Sequence, residues 1–311
     1  MRALLFPGQG SQVVGMGREF YDNFSQVKEY FQLTDEILKF QLSKIILDGP
    51  ENELKLTKNT QPAILLTSYS IFQVMKNEFG FNVKDFNFLA GHSLGEYSAL
   101  VSAGSMDFKD AIKTVYHRGK YMQEAVPIGK GSMLAVLGLD INEVQNYINK
   151  IKIKNKEVCE IANDNAIGQI IVSGESNAIK FLYNELKDDN KKSIQLPVSA
   201  PFHCSLMQPA EIKMSKILES LQINNPEVTI IHNVNAQANK KKDSIKELLL
   251  KQISSRVRWR ESLIFMKEQG TQTFIEIGPG KTLSGMIKRT VKNIKSFSIN
   301  SIEEIKKIKD V

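Results

Sequence analysis

The chain has 311 residues with 42% hydrophobic content, which predicts about two domains with a large core that needs no disulfides. Its two cysteines, Cys159 and Cys204, are far apart and lack metal-ligand spacing, which argues against a zinc site and fits the cytoplasm. The net charge of +7 comes from dispersed lysines without interleaved aromatics, which disfavours nucleic-acid binding. It indicates either a solvated lysine surface or a basic face for an acidic or phosphate-bearing partner.

The first 129 residues predict a buried strand, several helices and one strand–turn–helix unit. The N-terminus is not typical of a signal peptide, and no apolar run approaches the ~18 residues that span a membrane. The predicted elements are a strand at 2–6, a glycine-rich turn at 7–12, helices to about 47, a polar loop at 48–60, a helix at 61–79, a strand at 86–90, and helices at 96–103 and 108–123.

The second part of the chain begins with a β-α-β-β-α-β pattern, which is typical of a ferredoxin-like unit. Strands are predicted at 132–139, 157–162, 169–173 and 193–198, helices at 141–151 and 177–186, and a turn at 163–168. A helix after Ser205, a strand at 228–231, a helix at 245–253, a strand at 273–277 and a closing helix after Gly280 follow. We therefore predict an α/β-hydrolase-like domain with a parallel sheet (1–129 and 199–311) and an inserted ferredoxin-like domain (130–198).

The most informative motif is GHSLG at residues 91–95, between a predicted strand and a predicted helix. A serine on such a sharp turn exposes its hydroxyl, and the following backbone N–H can donate to an oxyanion. The motif favours Ser93 as a nucleophile for acyl transfer over an ordinary glycine-rich turn.

A serine nucleophile needs a base, and the chain offers only four histidines. His92 adjoins Ser93, so we expect its side chain to point elsewhere, and His117 lies mid-helix. The spacing of residues leaves His203 and His232 open as the base, and either is also consistent with a structural histidine.

Two further residues have alternative interpretations. Arg118 is consistent with a surface or capping arginine, or with a guanidinium that binds a substrate carboxylate. Gln9 lies in a tight turn whose backbone N–H groups can supply a second oxyanion donor, although the turn lacks a phosphate-binding P-loop pattern.

Five motifs in this order resemble the malonyl-CoA:acyl carrier protein transacylases of dissociated fatty acid synthesis, and the resemblance runs nearly end to end. They are FPGQGSQ at 6–12, TQPA at 60–63, GHSLGE at 91–96, Arg118-Gly119 with Met122-Gln123, and GPG at 278–280.

The resemblance implies a role for each candidate residue. Ser93 would carry malonyl as an ester and His203 would be its base. The backbone N–H groups of Gln9 and Leu94 would form the oxyanion hole, and Arg118 would pair with the malonyl carboxylate. The other implied site residues are Gln252, whose carbonyl would orient His203, and Met122, Asn163 and Phe202, which would line the substrate pocket.

The resemblance also implies the reaction partners. Malonyl-CoA would be the substrate, the phosphopantetheine thiol of acyl carrier protein would accept the malonyl group, and no cofactor or metal would be bound. A monomer is expected. The Phe202-His203 pair resembles the malonyl-selective form of related acyltransferases, in which a bulky residue crowds an α-methyl branch.

Two other classes of protein remain as alternatives. An α/β-hydrolase would use the same serine turn, but its histidine typically lies late in the chain, and Arg118 would have no role in neutral ester hydrolysis. A non-catalytic carrier-docking module, or a domain of a larger synthase, is the second alternative. The ends of the sequence favour a free-standing protein.

Overall fold

The computed structural model of the chain describes residues 1–198 and 200–308, and of residues 152–155 it describes only the backbone. Residues 199 and 309–311, which the predicted large domain includes, lie outside this part. The predicted α/β class is confirmed: one sheet is mostly parallel, and a smaller sheet is antiparallel. The predicted domain boundaries at 129/130 and 198/199 stay predictions.

Ten strands are described in this part of the chain. They are β1 (Arg2–Phe6), β2 (Phe88–Gly91), β3 (Gly131–Leu137), β4 (Cys159–Ala166), β5 (Gln169–Glu175), β6 (Lys192–Gln195), β7 (Thr229–Ile231), β8 (Ala238–Asn239), β9 (Thr273–Ile277) and β10 (Lys295–Ile299).

The helices pack around both sheets. They are α1 (Arg18–Asn23), α2 (Ser25–Leu38), α3 (Leu42–Asp48), α4 (Glu51–Leu54), α5 (Thr57–Phe79), α6 (Gly95–Ser102), α7 (Phe108–Glu124), α8 (Ile141–Asn155), α9 (Ser176–Asp188), α10 (Gln208–Ser220), α11 (Ile245–Gln252), α12 (Trp259–Glu268), α13 (Thr282–Thr290) and α14 (Ile302–Ile308).

The large sheet has the order β10-β9-β1-β2-β7-β8, and all neighbours are parallel except β7 and β8. Side chains alternate between its faces, so Leu4 and Phe6 join one apolar core while Ala3 and Leu5 join the other. Because helices cover both faces, the central strands are apolar throughout. The carboxyl ends of β1 and β2 therefore meet at one sheet edge, where α/β folds bind ligands.

The small sheet has the order β4-β5-β3-β6 with antiparallel neighbours, and α8 and α9 complete the predicted β-α-β-β-α-β unit. Its own core joins Leu134 and Val136 of β3 to Val144 of α8 and Ile179 of α9. The predicted ferredoxin-like connectivity is confirmed by this strand order.

The turn predicted at 163–168 is wrong over residues 163–165, which belong to β4. Asparagine and aspartate favour turns, but here a second segment stabilises the extended backbone. Asp164 N–H donates to the Val257 carbonyl, and Val257 N–H donates to the Ala162 carbonyl. Two register shifts against β5 accommodate this irregular strand.

The polar loop predicted at 48–60 is also wrong, because it contains α4 and the first turn of α5. Buried polar side chains join the two helices: Asn59 Nδ2 donates to the Glu53 carbonyl and Thr60 Oγ1 to the Leu54 carbonyl. The prediction likewise missed β8, α12, β10 and α14. The last two follow the closing helix in a stretch rich in lysine and asparagine.

Candidate active site

Ser93 lies on a sharp turn between β2 and α6, at the carboxyl edge of the large sheet. Its φ of 54° is in the left-handed region, which non-glycine residues rarely occupy. The flanking glycines are needed for close packing: a Cβ on Gly91 would lie 1.8 Å from the Gly95 carbonyl carbon, and one on Gly95 would lie 2.2 Å from the Phe6 oxygen. This strained turn holds the hydroxyl away from the sheet.

His203, rather than His232, adjoins the serine. The Ser93 Oγ lies 2.8 Å from His203 Nε2, and His203 Nδ1 lies 2.8 Å from the backbone carbonyl of Gln252. A carbonyl only accepts, so the neutral imidazole carries its proton on Nδ1 and turns the Nε2 lone pair toward the hydroxyl. This is the arrangement of a serine and a general base, with a carbonyl in place of a triad carboxylate.

Burial keeps His203 neutral. Desolvation and, next, the positive charge of Arg118 lower the pKa of His203 to about 3, and the Gln252 carbonyl opposes this only partly. A base with so low a pKa is unprotonated throughout the neutral pH range, so it is ready to accept a proton from Ser93.

Arg118 projects from α7 into the same site, and only 1% of the residue is exposed. Its guanidinium donates to Gln61 Oε1 at 2.8 Å, Gln252 Oε1 at 2.9 Å and Ser93 Oγ at 3.1 Å. It forms no ion pair with any described carboxylate, and burial lowers its pKa. A buried cation with only neutral partners is costly, which favours binding of an anionic group beside Ser93.

Most of the candidate residues line one cavity of about 490 Å³. The predicted site residues that line it are Gln9, Ser93, Leu94, Arg118, Met122, Asn163, Phe202 and His203. Gln252 does not line the cavity, and it lies fully buried behind Ser93 and Arg118. The cavity extends between the two sheets, because β4, β5 and the segment after β6 also contribute to it.

The two predicted oxyanion donors flank this cavity. Gln9 follows β1, and Leu94 opens α6, so both are at the end of a parallel strand pair. Among the described residues, neither backbone N–H has a hydrogen-bond partner in the turn, whereas the Ser93 N–H donates to Asn233 Oδ1. Two free N–H groups beside a serine hydroxyl match the requirement for an oxyanion hole.

His92 turns away from the hydroxyl, as we expected from its position beside Ser93. Its Nε2 lies 2.8 Å from Asn165 Oδ1, and burial lowers its pKa. The other open candidate, His232, places Nδ1 2.6 Å from the buried carboxylate of Glu96.

The sequence interpretation missed three polar residues of the site: Gln61, Glu96 and Asn233. Gln61 binds Arg118, while Glu96 and Asn233 hold Gln252 and the turn of Ser93. Gln61 and Glu96 do stand within the TQPA and GHSLGE motifs, so their positions were a signal for the site. Asn233 gave no such signal, since it lies 140 positions from Ser93.

The described part of the chain has neither a metal-binding cluster nor a membrane-spanning helix. No cluster of three or more histidine, cysteine, aspartate or glutamate side chains there is arranged to hold a metal ion. None of its helices combines the length and the apolar character needed to cross a bilayer.

Comparison with known proteins agrees with this fold and shows the family of the chain. The acyl transferase domain family matches residues 3–308. The malonyl CoA-acyl carrier protein transacylase of Bacillus subtilis is 44% identical over 305 residues, which cover 97% of this chain and 94% of that protein. The chain belongs to the malonyl CoA-acyl carrier protein transacylase family.

Solved structures give the same result. An acyl-carrier-protein-S-malonyltransferase from Bartonella henselae superimposes with a TM-score of 0.96 at 39% identity, covering 100% of this chain and 99% of that one. A malonyl-transacylase in complex with its type II PKS acyl-carrier protein has a TM-score of 0.95 at 36% identity, with 99% of each chain covered.

Proposed function

We propose that this enzyme transfers malonyl from CoA to the phosphopantetheine thiol of acyl carrier protein, for fatty acid synthesis, through an ester on Ser93. The observation that carries the proposal is Arg118, a buried guanidinium without a carboxylate partner, 3.1 Å from Ser93 Oγ. A malonyl group has a free carboxylate two bonds from its reacting carbonyl, so it can pair with Arg118 while its thioester faces Ser93.

In the first half-reaction, His203 Nε2 takes the proton of the Ser93 hydroxyl as Oγ attacks the thioester carbonyl. The backbone N–H groups of Gln9 and Leu94 donate to the developing oxyanion. The C–S bond then breaks, and the CoA sulfur leaves with the proton from His203, which leaves malonyl as an ester on Ser93.

In the second half-reaction, the carrier thiol gives its proton to His203 and attacks the ester carbonyl. The Ser93 oxygen leaves and takes that proton back, so no cofactor or net redox change is needed. The Gln252 carbonyl keeps His203 in the required tautomer through both halves.

The remaining lining residues would determine which acyl group fits. Met122 and Phe202 are largely buried beside Arg118 and His203, so they would exclude bulky α-substituents, and Asn163 would line the pocket from β4. An acetyl group would leave the guanidinium unpaired, which disfavours it relative to malonyl.

We further propose that the chain acts as a monomer in the cytoplasm. Its two cysteines are buried and far apart in the chain, which fits a reducing compartment. Its positive net charge would favour an acidic carrier protein. Light scattering that gave a mass well above 35.1 kDa would contradict the monomer.

The proposed function is tested by the products formed from malonyl-CoA and holo acyl carrier protein. We expect malonyl carrier protein to form in proportion to the CoA released, and Ser93→Ala to abolish its formation. Rapid release of free malonate, without malonyl carrier protein, would instead indicate a hydrolase. Carrier binding without any turnover would indicate a docking module.

A further inference from the structure

The carboxylate of Glu96 is fully buried beneath the active site and accepts three hydrogen bonds. The donors are His232 Nδ1 at 2.6 Å, the Asn233 N–H at 3.0 Å and Gln252 Nε2 at 2.7 Å. A carboxylate only accepts, so His232 carries a proton on the Nδ1 that faces Glu96. Three donors hold this carboxylate in one position.

The side-chain amide of Gln252 bridges this carboxylate and the substrate-binding cation. Its Nε2 donates to Glu96, and its Oε1 accepts from Arg118 at 2.9 Å. A reversed amide would point Nε2–H at the guanidinium and Oε1 at the carboxylate, so that donor faces donor and acceptor faces acceptor. Glu96 and Arg118 therefore fix the orientation of the amide from its two ends, and the Ser93 carbonyl also accepts from Nε2.

The same bridge keeps the two buried charges apart. Glu96 and Arg118 form no ion pair, because the Gln252 amide lies between them. Burial lowers the pKa of Arg118, and the attractions of Tyr97 and then of the Glu96 carboxylate oppose this only partly. The guanidinium nevertheless keeps free hydrogen-bonding capacity, since its Nε has no partner among the described residues.

The network also holds the serine turn. Asn233 Oδ1 accepts from the Ser93 N–H at 2.7 Å, and Asn233 Nδ2 donates to the Gly91 carbonyl at 2.7 Å. Gln252 Nε2 donates to the Ser93 carbonyl at 3.0 Å. One buried cluster thus connects the nucleophile and the substrate-binding cation.

We propose that Glu96 is a positioning residue for malonyl selectivity: through the Gln252 amide it orients Arg118 while leaving the guanidinium unpaired for the substrate carboxylate. This inference rests on the proposed function of Arg118. A direct Glu96–Arg118 ion pair would compete with malonyl for the guanidinium, whereas without the carboxylate the Gln252 amide would lose an acceptor that holds it toward Arg118.

The test measures the initial rates of Ser93 acylation by malonyl-CoA and acetyl-CoA, using rapid quench and intact-protein mass spectrometry. In Glu96→Gln the amide of Gln252 loses its anionic acceptor, so we expect the malonyl-to-acetyl rate ratio to fall about tenfold or more. The matched control is Glu276→Gln, another fully buried glutamate, which accepts the N–H groups of Leu283 and Ser284 at the start of α13. We expect it to keep the ratio of the wild type.

An equal loss for both acyl groups in Glu96→Gln, or an unchanged ratio, would overturn the proposal and leave Glu96 a purely structural residue. If Glu96→Gln does not fold, Gln252→Leu replaces it, because leucine removes the bridging amide but keeps the backbone carbonyl for His203. The ratio should fall there as well, and an unchanged ratio overturns the proposal. A wild type that forms no malonyl ester contradicts the proposed function instead.

Discussion

Two arginines of this enzyme show how differently one protein uses the same cation. Arg260 meets Asp164 through three hydrogen bonds of 2.8–3.0 Å, and this pairing raises its pKa. Arg118 is more deeply buried, has only neutral partners, and has a lowered pKa because of desolvation. Arg260 joins α12 to β4, whereas Arg118 borders the cavity beside Ser93.

The difference reflects two uses of arginine: a pair with a carboxylate stabilises the fold, whereas a substrate site needs a cation that is not already paired. A bidentate guanidinium–carboxylate pair satisfies both groups and stabilises the contact between α12 and β4. A buried guanidinium without a carboxylate costs stability in the free protein, and that cost is recovered when an anionic substrate binds. In our proposal the unpaired arginine therefore binds the substrate carboxylate, and the paired one does not.

Removal of Arg118 should produce the largest effect. In Arg118→Ala a malonyl carboxylate would be buried without its cation, so we expect acylation by malonyl-CoA to slow by about 100- to 1,000-fold. Acylation by acetyl-CoA should fall much less. Quenched-flow mass spectrometry measures the acylation rates with both substrates. A similar loss for both would show that Arg118 does not act on the malonyl carboxylate, and would contradict the contrast with Arg260.

Removal of Arg260 should affect stability instead of selectivity. Arg260→Ala leaves the buried Asp164 carboxylate without its partner, which we expect to lower the free energy of unfolding by about 2 kcal/mol, since water can partly replace the half-buried arginine. Urea unfolding measures this. The malonyl-to-acetyl ratio of the folded variant should match the wild type, and a changed ratio would show that Arg260 also acts on the substrate.

A smaller effect of removing Arg118 should appear in the pH dependence of Ser93 acylation. After burial, the charge of Arg118 is the next cause of the low pKa of His203, about 3. The base must be neutral, so acylation falls only as the pH falls toward that pKa. In Arg118→Ala the pKa of His203 should rise, so acetyl loading should begin to fall at higher pH than in the wild type. The rate of acetyl loading is measured from pH 4 to 7 in both proteins. If the rate declines toward acid pH in the same way in both, the charge of Arg118 does not lower the pKa of His203.

The sequence allowed the Ser93 turn to be predicted because its signals are local: an apolar strand, two tightly packed glycines and a helix within a short stretch. It also allowed the ferredoxin-like order to be predicted from alternating short elements. Residues 163–165 were assigned to a turn because their hydrogen-bond partners near Val257 lie far away in the chain. Local propensity cannot anticipate such long-range pairing.

The same limit applies to the site. Spacing left His203 and His232 equivalent, and the fold separates them: one contacts Ser93 and the other Glu96. Arg118 could not be distinguished from a surface arginine, since its burial depends on packing of α7 against α5. The resemblance to a family supplied these roles, but it did not indicate the network of Glu96, Asn233 and Gln252.

The most direct test of the account is the intact mass of the enzyme after brief incubation with malonyl-CoA, beside Ser93→Ala and Arg118→Ala. The account predicts a malonyl-sized mass gain in the wild type that is absent in Ser93→Ala, weakened in Arg118→Ala, and lost when holo acyl carrier protein is added. An equal adduct on Ser93→Ala, or malonate release with no adduct at any time, would contradict the central claim that Ser93 carries malonyl between CoA and the carrier.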